Sequence, residues 1–185
     1  MKFEAYWKPM RCIIMFGSPG SGKGTQSKLL DAHHISTGDI LRKSELGQKW
    51  MAEHPGKLCP DEMINTVVQD KILDIATHCP NDFVLDGYPR TVTQATVLDW
   101  FLRTEQIPIV LIYLDVPVEM VIERMGLRGR PDDTPEIVKE RMKVYEEETF
   151  PVFQKLKKLG HTSFVINAVG DPQEISIEIQ KLIKK

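Results

Sequence analysis

This chain has no excess of basic residues: 24 Lys and Arg stand against 26 Asp and Glu, a formal net charge of −2 over 185 residues. It therefore has no overall basic footprint for nucleic acid, and any anion binding must be local. Cysteine is scarce. Cys12, Cys59 and Cys79 lie far apart and form no CxxC pair, which suggests a reducing compartment, expected to be the cytoplasm, and no structural zinc. No apolar run approaches the about 20 residues that a membrane span needs. Repeats and low-complexity tracts are also missing. The stretch Met1–Met10 is mixed and charged, unlike a secretory signal, and reads as a short leader onto the first strand. The length suits one well-filled core and is too short for two ordinary domains.

What is present starts with the run CIIMFGSPGSGKGT, Cys12 to Thr25. A short apolar stretch stops at Gly17, and Gly20, Gly22, Lys23, Gly24 and Thr25 follow before the pattern turns helical. Strand, glycine-rich turn and helix start together form the context of a phosphate-binding loop. Glycines let backbone N–H groups converge on a polyanion. The helix start adds unpaired N–H groups, and Lys23 adds a mobile point charge. The usual Ser or Thr that follows the lysine and reaches Mg²⁺ is replaced here by Gly24, with Thr25 next.

Along the chain, strands are expected at Arg11–Phe16, at a short piece ending at Ser36, at Asn81–Asp86, at the nearly continuous apolar run Ile107–Val116 and at Thr162–Asn167. Helices are expected at Gly22–Asp31, from Ser36 or Thr37 as N-cap with Asp39 in the first turn, and at Ser44–His54, Asp61–Ala76, Thr91–Arg103 and Pro117–Met125. Further helices run from Thr134 through Tyr145 with a break or kink at Pro151, then over Val152–Leu159, and finally over Gln173–Ile183. Alternating strands and helices imply an α/β domain with a parallel sheet. Ligands should gather at its carboxyl strand ends, where this reading puts the loop, Ser36-Thr37, Asp86–Arg90 and Asn167–Gly170.

Several side chains stand out against structural explanations. Arg42 lies near a helix start, where the dipole disfavours a cation, so a binding role is expected. Asp86 ends a strand beside the loop and can hold Mg²⁺ or its waters. Arg90 follows Gly87-Tyr88-Pro89, and Gln94 carries donors and acceptors suited to an adenine edge. Arg124, Arg128 and Arg130 cluster among Gly126, Gly129 and Pro131 in ERMGLRGRPDD, where the glycines predict a mobile loop able to close cations over phosphates. The doublet His33-His34 has no third ligand nearby, and its side chains should point to opposite faces of a strand.

The form GxPGxGKGT, the segment HISTGDILR, the run GKLCP and the run DGYPRT followed by Gln94 resemble, in this order, the motifs of adenylate kinases within the nucleoside monophosphate kinases. The resemblance covers nearly the whole chain from Arg11. It implies a P-loop NTPase fold with a five-stranded parallel sheet, a monophosphate-binding region over about 36–59 and a short lid over about 127–134. It also implies Gly20, Ser21, Gly22, Lys23, Gly24 and Thr25 on the ATP phosphates, Arg124 and the Gly170 backbone at the ATP base, and Arg128 over ATP. Thr37, Lys57, Leu58, Cys59, Gly87, Tyr88, Pro89, Arg90 and Gln94 would meet AMP. Lys23 and the set Arg42, Arg90, Arg128, Arg130 and Arg141 would surround the transferred phosphoryl group, with Arg130 and Arg141 also on AMP. Cys59 departs from the family's branched apolar residue. Only Gly129 separates Arg128 from Arg130, fewer residues than most members have there, and the large zinc-bearing lid insertion of some members is absent.

The expected activity is reversible transfer of the ATP γ-phosphoryl group to AMP, giving two ADP, with Mg²⁺ as cofactor, small molecules as the only partners and a monomer acting alone. A UMP or CMP kinase is the near alternative, and Thr37 with Gln94 favours AMP over it. A nucleotide-binding sensor without turnover is the alternative from another class. A GTPase-like switch is disfavoured because no Asn-Lys-x-Asp run occurs.

Overall fold

A computed structural model describes residues 10–78, 81–129 and 134–184. In chain order it contains β1 Cys12–Phe16, α1 Lys23–Leu29, β2 His33–Ser36, α2 Thr37–Lys43, α3 Glu45–Glu53, α4 Asp61–His78, β3 Phe83–Asp86 and α5 Val92–Thr104. There follow β4 Ile109–Asp115, α6 Val118–Arg128, α7 Pro135–Val144, a π-helical turn Tyr145–Thr149, α8 Phe150–Lys158, β5 Thr162–Asn167 and α9 Pro172–Ile183.

The strands form a sheet of order β2–β3–β1–β4–β5, parallel throughout. All five residues of β1 are buried, as a central strand covered on both faces requires. Side chains alternate between the faces. Cys12, Ile14, Phe16, Phe83, Leu85 and Leu111 join Val68 and Ile72 of α4, Leu98 and Leu102 of α5, and Val152 and Leu156 of α8. Ile13, Met15, Val84, Val110 and Ile112 instead meet Leu30 and, on α9, Ile175, Ile179 and Ile183. Each such burial of a Val, Leu, Ile or Phe stabilises by about 1.5–3 kcal/mol, so the sheet is a rigid mount. After β1 the chain turns toward β2, and after β4 it turns toward β5. The carboxyl ends of these neighbouring strands therefore open a crevice.

The helix borders follow local chemistry. Ser36 caps α2 by accepting from the Asp39 N–H, and Thr134 caps α7 with Pro135 at its start. Ser44 divides the Thr37–Glu53 stretch, ending α2 through its backbone N–H and capping α3 through its side chain. Three expectations need correction. Arg42 lies in the last turn of α2 rather than near its start, because Ser44 ends the helix, so the dipole favours its charge there and the argument from a disfavoured cation fails. Glu123–Arg128 is helical rather than part of a loop, because α6 runs through Gly126 and ends only at Gly129, whose left-handed conformation (φ 63°) suits a helix terminus. The interruption expected at Pro151 falls just before it, at the π-helical turn Tyr145–Thr149, and the proline itself does not end a helix. It sits within the first turn of α8, where a missing N–H is tolerated, and the π-helical turn before it bonds the Phe150 N–H back to the Tyr145 carbonyl. Among the described residues no helix is long and apolar enough to cross a membrane.

Candidate active site

A cleft of about 850 Å³ runs along the carboxyl ends of the strands, with the glycine-rich loop at its middle. Gly17, Gly20 and Gly22 have φ of 138°, 86° and 98°, values that L-side chains rarely adopt. A Cβ on Gly20 would lie 2.7 Å from Met125 Cγ and 2.9 Å from the Val121 carbonyl. Glycine is thus needed there both for conformation and for packing against α6. Gly22 precedes α1 without any side-chain cap, and no acidic residue occupies the first turn. Lys23 Nζ donates to the carbonyls of Gly17 (2.7 Å) and Ser18 (2.8 Å), folding back across the loop. Ser21 Oγ is buried and has no hydrogen-bond partner among the described residues, a polar atom of the cradle that a ligand could satisfy.

The departure at Gly24 has a physical reason. A Cβ there would stand 3.2 Å from Asp86 Oδ2, so the bare backbone makes room for the carboxylate. His34 Nε2 lies 3.5 Å from the same oxygen. Burial alone would push the Asp86 carboxyl up, but His34, Lys23 and Arg90 outweigh it and hold the group below the ordinary carboxylate range. One ionised carboxylate beside a phosphate cradle, with Thr25 on the next turn, fits Mg²⁺, which keeps several waters and takes few protein ligands. Among the described residues no group of three His, Cys, Asp or Glu is set to hold a metal by itself.

One end of the cleft is formed by α6 and the loop after β5. Arg124 donates to the Ala168 carbonyl at 3.0 Å, and both line the cleft with Gly170, Pro172 and Ile175. Gly170 has φ 125°, so its backbone faces the cleft bare.

The opposite end draws on β2, α2, α3, the 55–59 segment, the turn after β3, and α7. Thr37 is buried, and its hydroxyl donates to the Gly87 carbonyl at 2.9 Å. Gly87 (φ 81°) holds a conformation that L-side chains rarely adopt, and a Cβ there would press on Arg90 Nη2 at 2.7 Å and Thr37 Oγ1 at 2.9 Å. Arg90 Nε donates to the Gly87 carbonyl at 2.8 Å, and Thr149 Oγ1 donates to the Arg90 carbonyl at 3.2 Å. Burial pulls the Arg90 guanidinium pKa below its usual value. Asp86 opposes this, while the positive charges of Arg141 and Arg42 add to the lowering. Three cations that repel one another around one cleft form a site for a multiply charged anion. Arg42 also meets Asp39 Oδ1 at 2.6 Å, and Lys57 pairs with Glu140 of α7, so the 55–59 segment is tied to the helix that bears Arg141.

The sequence-predicted residues come together with specific qualifications. Gln94 is buried. Its Oε1 accepts from the Arg90 N–H (2.7 Å) and its Nε2 donates to Asp61 Oδ1 (2.7 Å), leaving one N–H and one lone pair for a ligand. The Tyr88 side chain turns into the core and donates to Asn65 Oδ1 at 2.6 Å, so its backbone is what faces the cleft; Pro89 follows it across a cis peptide bond. Cys59 is buried, with Sγ 3.3 Å from Met63 Sδ, while Leu58 lines the cleft. Arg128 ends α6, and Arg130, with most of the expected lid, lies outside the described residues. Sequence reasoning missed His34, Asp61, Trp50, His54 and Thr149. Strand alternation could have shown His34 sharing a face with Ser36; both line the cleft, whereas His33 lines a separate cavity with Asp31 and Asp82.

The family described as Adenylate kinase matches residues 15–161 of this chain. The chain belongs to the adenylate kinase family. Proteins named Adenylate kinase from Oenococcus oeni and Bifidobacterium longum are 38% and 41% identical to it, covering 92% and 90% of this chain and 96% of each relative. Another so named, from Rickettsia typhi, is 33% identical over 216 aligned positions, covering 93% of this chain and 98% of the relative. Those positions outnumber the 185 residues here, so that adenylate kinase carries inserted residues that this chain lacks. Sheet, loop and flanking helices conform to the adenylate kinase form of the P-loop NTPase fold.

Proposed function

We propose that the chain transfers the γ-phosphoryl group of Mg-ATP reversibly to the phosphate of AMP, giving two ADP. The observation that carries this reading is the cleft itself: one continuous space with a phosphate loop at its middle, Arg124, Ala168 and Gly170 on one side of it and the cations Arg42, Arg90 and Arg141 on the other.

The reaction breaks the bond between the γ-phosphorus and the β,γ-bridging oxygen and forms one from that phosphorus to an AMP phosphate oxygen. No protein nucleophile is required, because the acceptor is already an anionic phosphate. Alignment and charge neutralisation dominate. In this reading the loop amides and Lys23 hold the β- and γ-phosphates, Lys23 exchanging the Gly17 and Ser18 carbonyls for phosphate oxygens. Arg124 and the Gly170 backbone flank the donor base. Arg42, Arg90 and Arg141 hold the acceptor phosphate, with Arg128 and Arg130 closing from the lid. Thr37, Gln94 and the 57–59 backbone meet the acceptor nucleoside. Asp86 would hold the waters of a Mg²⁺ ion arriving with ATP, which would supply neutralisation of phosphate charge. Closure excludes water, the competing acceptor.

The test is ADP formation by purified protein with Mg-ATP and, separately, AMP, CMP, UMP and GMP. Strong turnover with AMP alone is expected. Preference for CMP or UMP would overturn the acceptor assignment, and binding of both nucleotides without ADP formation would replace the enzyme by a sensor.

A further inference from the structure

Phosphoryl transfer needs its cations at fixed places, yet Arg90 and Arg141 come from separate parts of the chain. Arg90 lies between β3 and α5, whereas Arg141 lies on α7. Their positive charges repel, so an empty cleft favours their separation. Arg90 is held at three points. Its N–H donates to Gln94 Oε1 at 2.7 Å and its Nε donates to the Gly87 carbonyl at 2.8 Å, both within its own segment. The third bond comes from elsewhere. Thr149 Oγ1 donates to the Arg90 carbonyl at 3.2 Å, across 59 residues of sequence. Thr149 closes the π-helical turn that continues α7, and it lines the cleft. Thr66, Thr77, Thr96 and Thr104 each donate to the carbonyl four residues earlier in their own helices, the local bond open to any helical threonine. Thr149 does not, and its side chain does not cap α8 either. Its one hydroxyl proton goes to Arg90.

We propose that Thr149 is a positioning residue for the transfer step: it ties the Arg90 backbone to the helical stretch that carries Arg141, and so sets the spacing of the two cations before the acceptor phosphate arrives. The inference rests on the roles assigned to these arginines above. Thr149 is neutral and acts only through Arg90. A single neutral hydrogen bond contributes little to folding, but a small displacement of groups at a reacting centre costs rate steeply. The transfer step is therefore more sensitive to this bond than nucleotide binding or stability.

Steady-state kinetics of a small set of variants tests this. Thr149→Val keeps the shape of the side chain and deletes the bond. It should lower kcat for ADP formation by about 5–50-fold, with the KM values for Mg-ATP and AMP within about threefold of wild type. Thr149→Ser keeps the hydroxyl and should return kcat to within about threefold of wild type. Thr104→Val deletes an exposed hydroxyl bond to the Trp100 carbonyl and, as the control, should leave kcat unchanged. Because Thr149 acts through the spacing of two arginines, its effect on kcat should shrink in an Arg141→Lys background, where that spacing is already altered. The proposal is overturned by an unaltered kcat in Thr149→Val, by Thr149→Ser as slow as Thr149→Val, or by full additivity with Arg141→Lys. It is also overturned if the loss of kcat only matches a loss of folded protein, read by circular dichroism at the assay temperature. If wild type forms no ADP with any acceptor, the enzymatic reading fails and this proposal falls with it; an active wild type with any of the other outcomes removes the positioning role alone.

Discussion

The part of the cleft assigned to the ATP phosphates is made mainly of backbone from one continuous stretch, Gly17 to Thr25, while the end assigned to AMP draws largely on side chains from several separate segments. On the donor side, three glycines in left-handed conformations and an uncapped helix start present amides. On the acceptor side, Gly87, Asp39 and Asp61 hold Thr37, Arg42, Arg90 and Gln94, with Arg141 near enough to Arg90 for their charges to repel. Amides bind any phosphate chain alike, whereas a mosaic of side chains can discriminate. On the proposed assignment, the site would be generic where it takes up energy-rich phosphate and selective where it chooses the recipient. The two ends should also fail differently under mutation.

The sharpest separation is expected at Arg90. Arg90→Ala removes a buried cation between the two ends and should lower kcat by about 10²–10³, with the equilibrium affinity for ATP nearly unchanged; near-normal turnover would refute its role. Gly20→Ala should do the reverse. The new methyl group meets Met125 Cγ and the Val121 carbonyl and forces a left-handed residue, so ATP affinity should fall by about 5–30-fold. AMP affinity, read by calorimetry, should stay close to wild type, and equal losses for both ligands would erase the distinction drawn between the ends. Thr37→Val deletes a single neutral hydrogen bond to Gly87 and should raise the KM for AMP by about fivefold, with the KM for ATP as the internal control.

The smallest effect concerns acid stability. Burial alone would raise the Asp86 pKa, but His34, Lys23 and Arg90 bring it below 3.8. The folded state therefore binds this proton less readily than the unfolded state. The stabilisation is complete above 3.8 and is lost as the pH falls through the folded-state value. The stability gap between wild type and Asp86→Asn, measured by urea denaturation, should be widest near neutrality and should narrow in acid. A gap that does not vary with pH would remove Asp86 from the charge network joining the two ends.

The same contrast governs what could be read in the sequence. The donor end lies in one run of residues, so its glycine spacing, preceding apolar strand and following helix were visible together. The parallel sheet was visible too, because its central strands are continuous apolar runs such as IVLIYLD. The acceptor end was visible only where a motif marked it, as in DGYPRT. Trp50 and His54 read as members of an unremarkable polar helix, because their stacking depends on where Ser44 restarts the chain. Asp61 read as a helix start, although its carboxylate takes both the Gln94 amide and the Thr91 hydroxyl. The extent of α6 was misread because glycine spacing in Glu123–Arg128 favoured a loop, whereas Val121 and Met125 bury against the core and hold the helix through Gly126.

The π-helical turn at Tyr145–Thr149 sets a phase relation between two helices. It accommodates one residue more than α-helical bonding would, so α7 and α8 are not a single periodic rod. Val152 and Leu156 point into the core, and the extra residue offsets Arg141 from that face toward the cleft. Drawing the turn into pure α-helical bonding without removing a residue would rotate α7 relative to α8 by about 100°. Arg141 would swing away from Arg90, and Glu140 would swing away from Lys57, although every residue of the motifs would still be present. The spacing of this stretch is thus as much a part of the site as the arginines it aims.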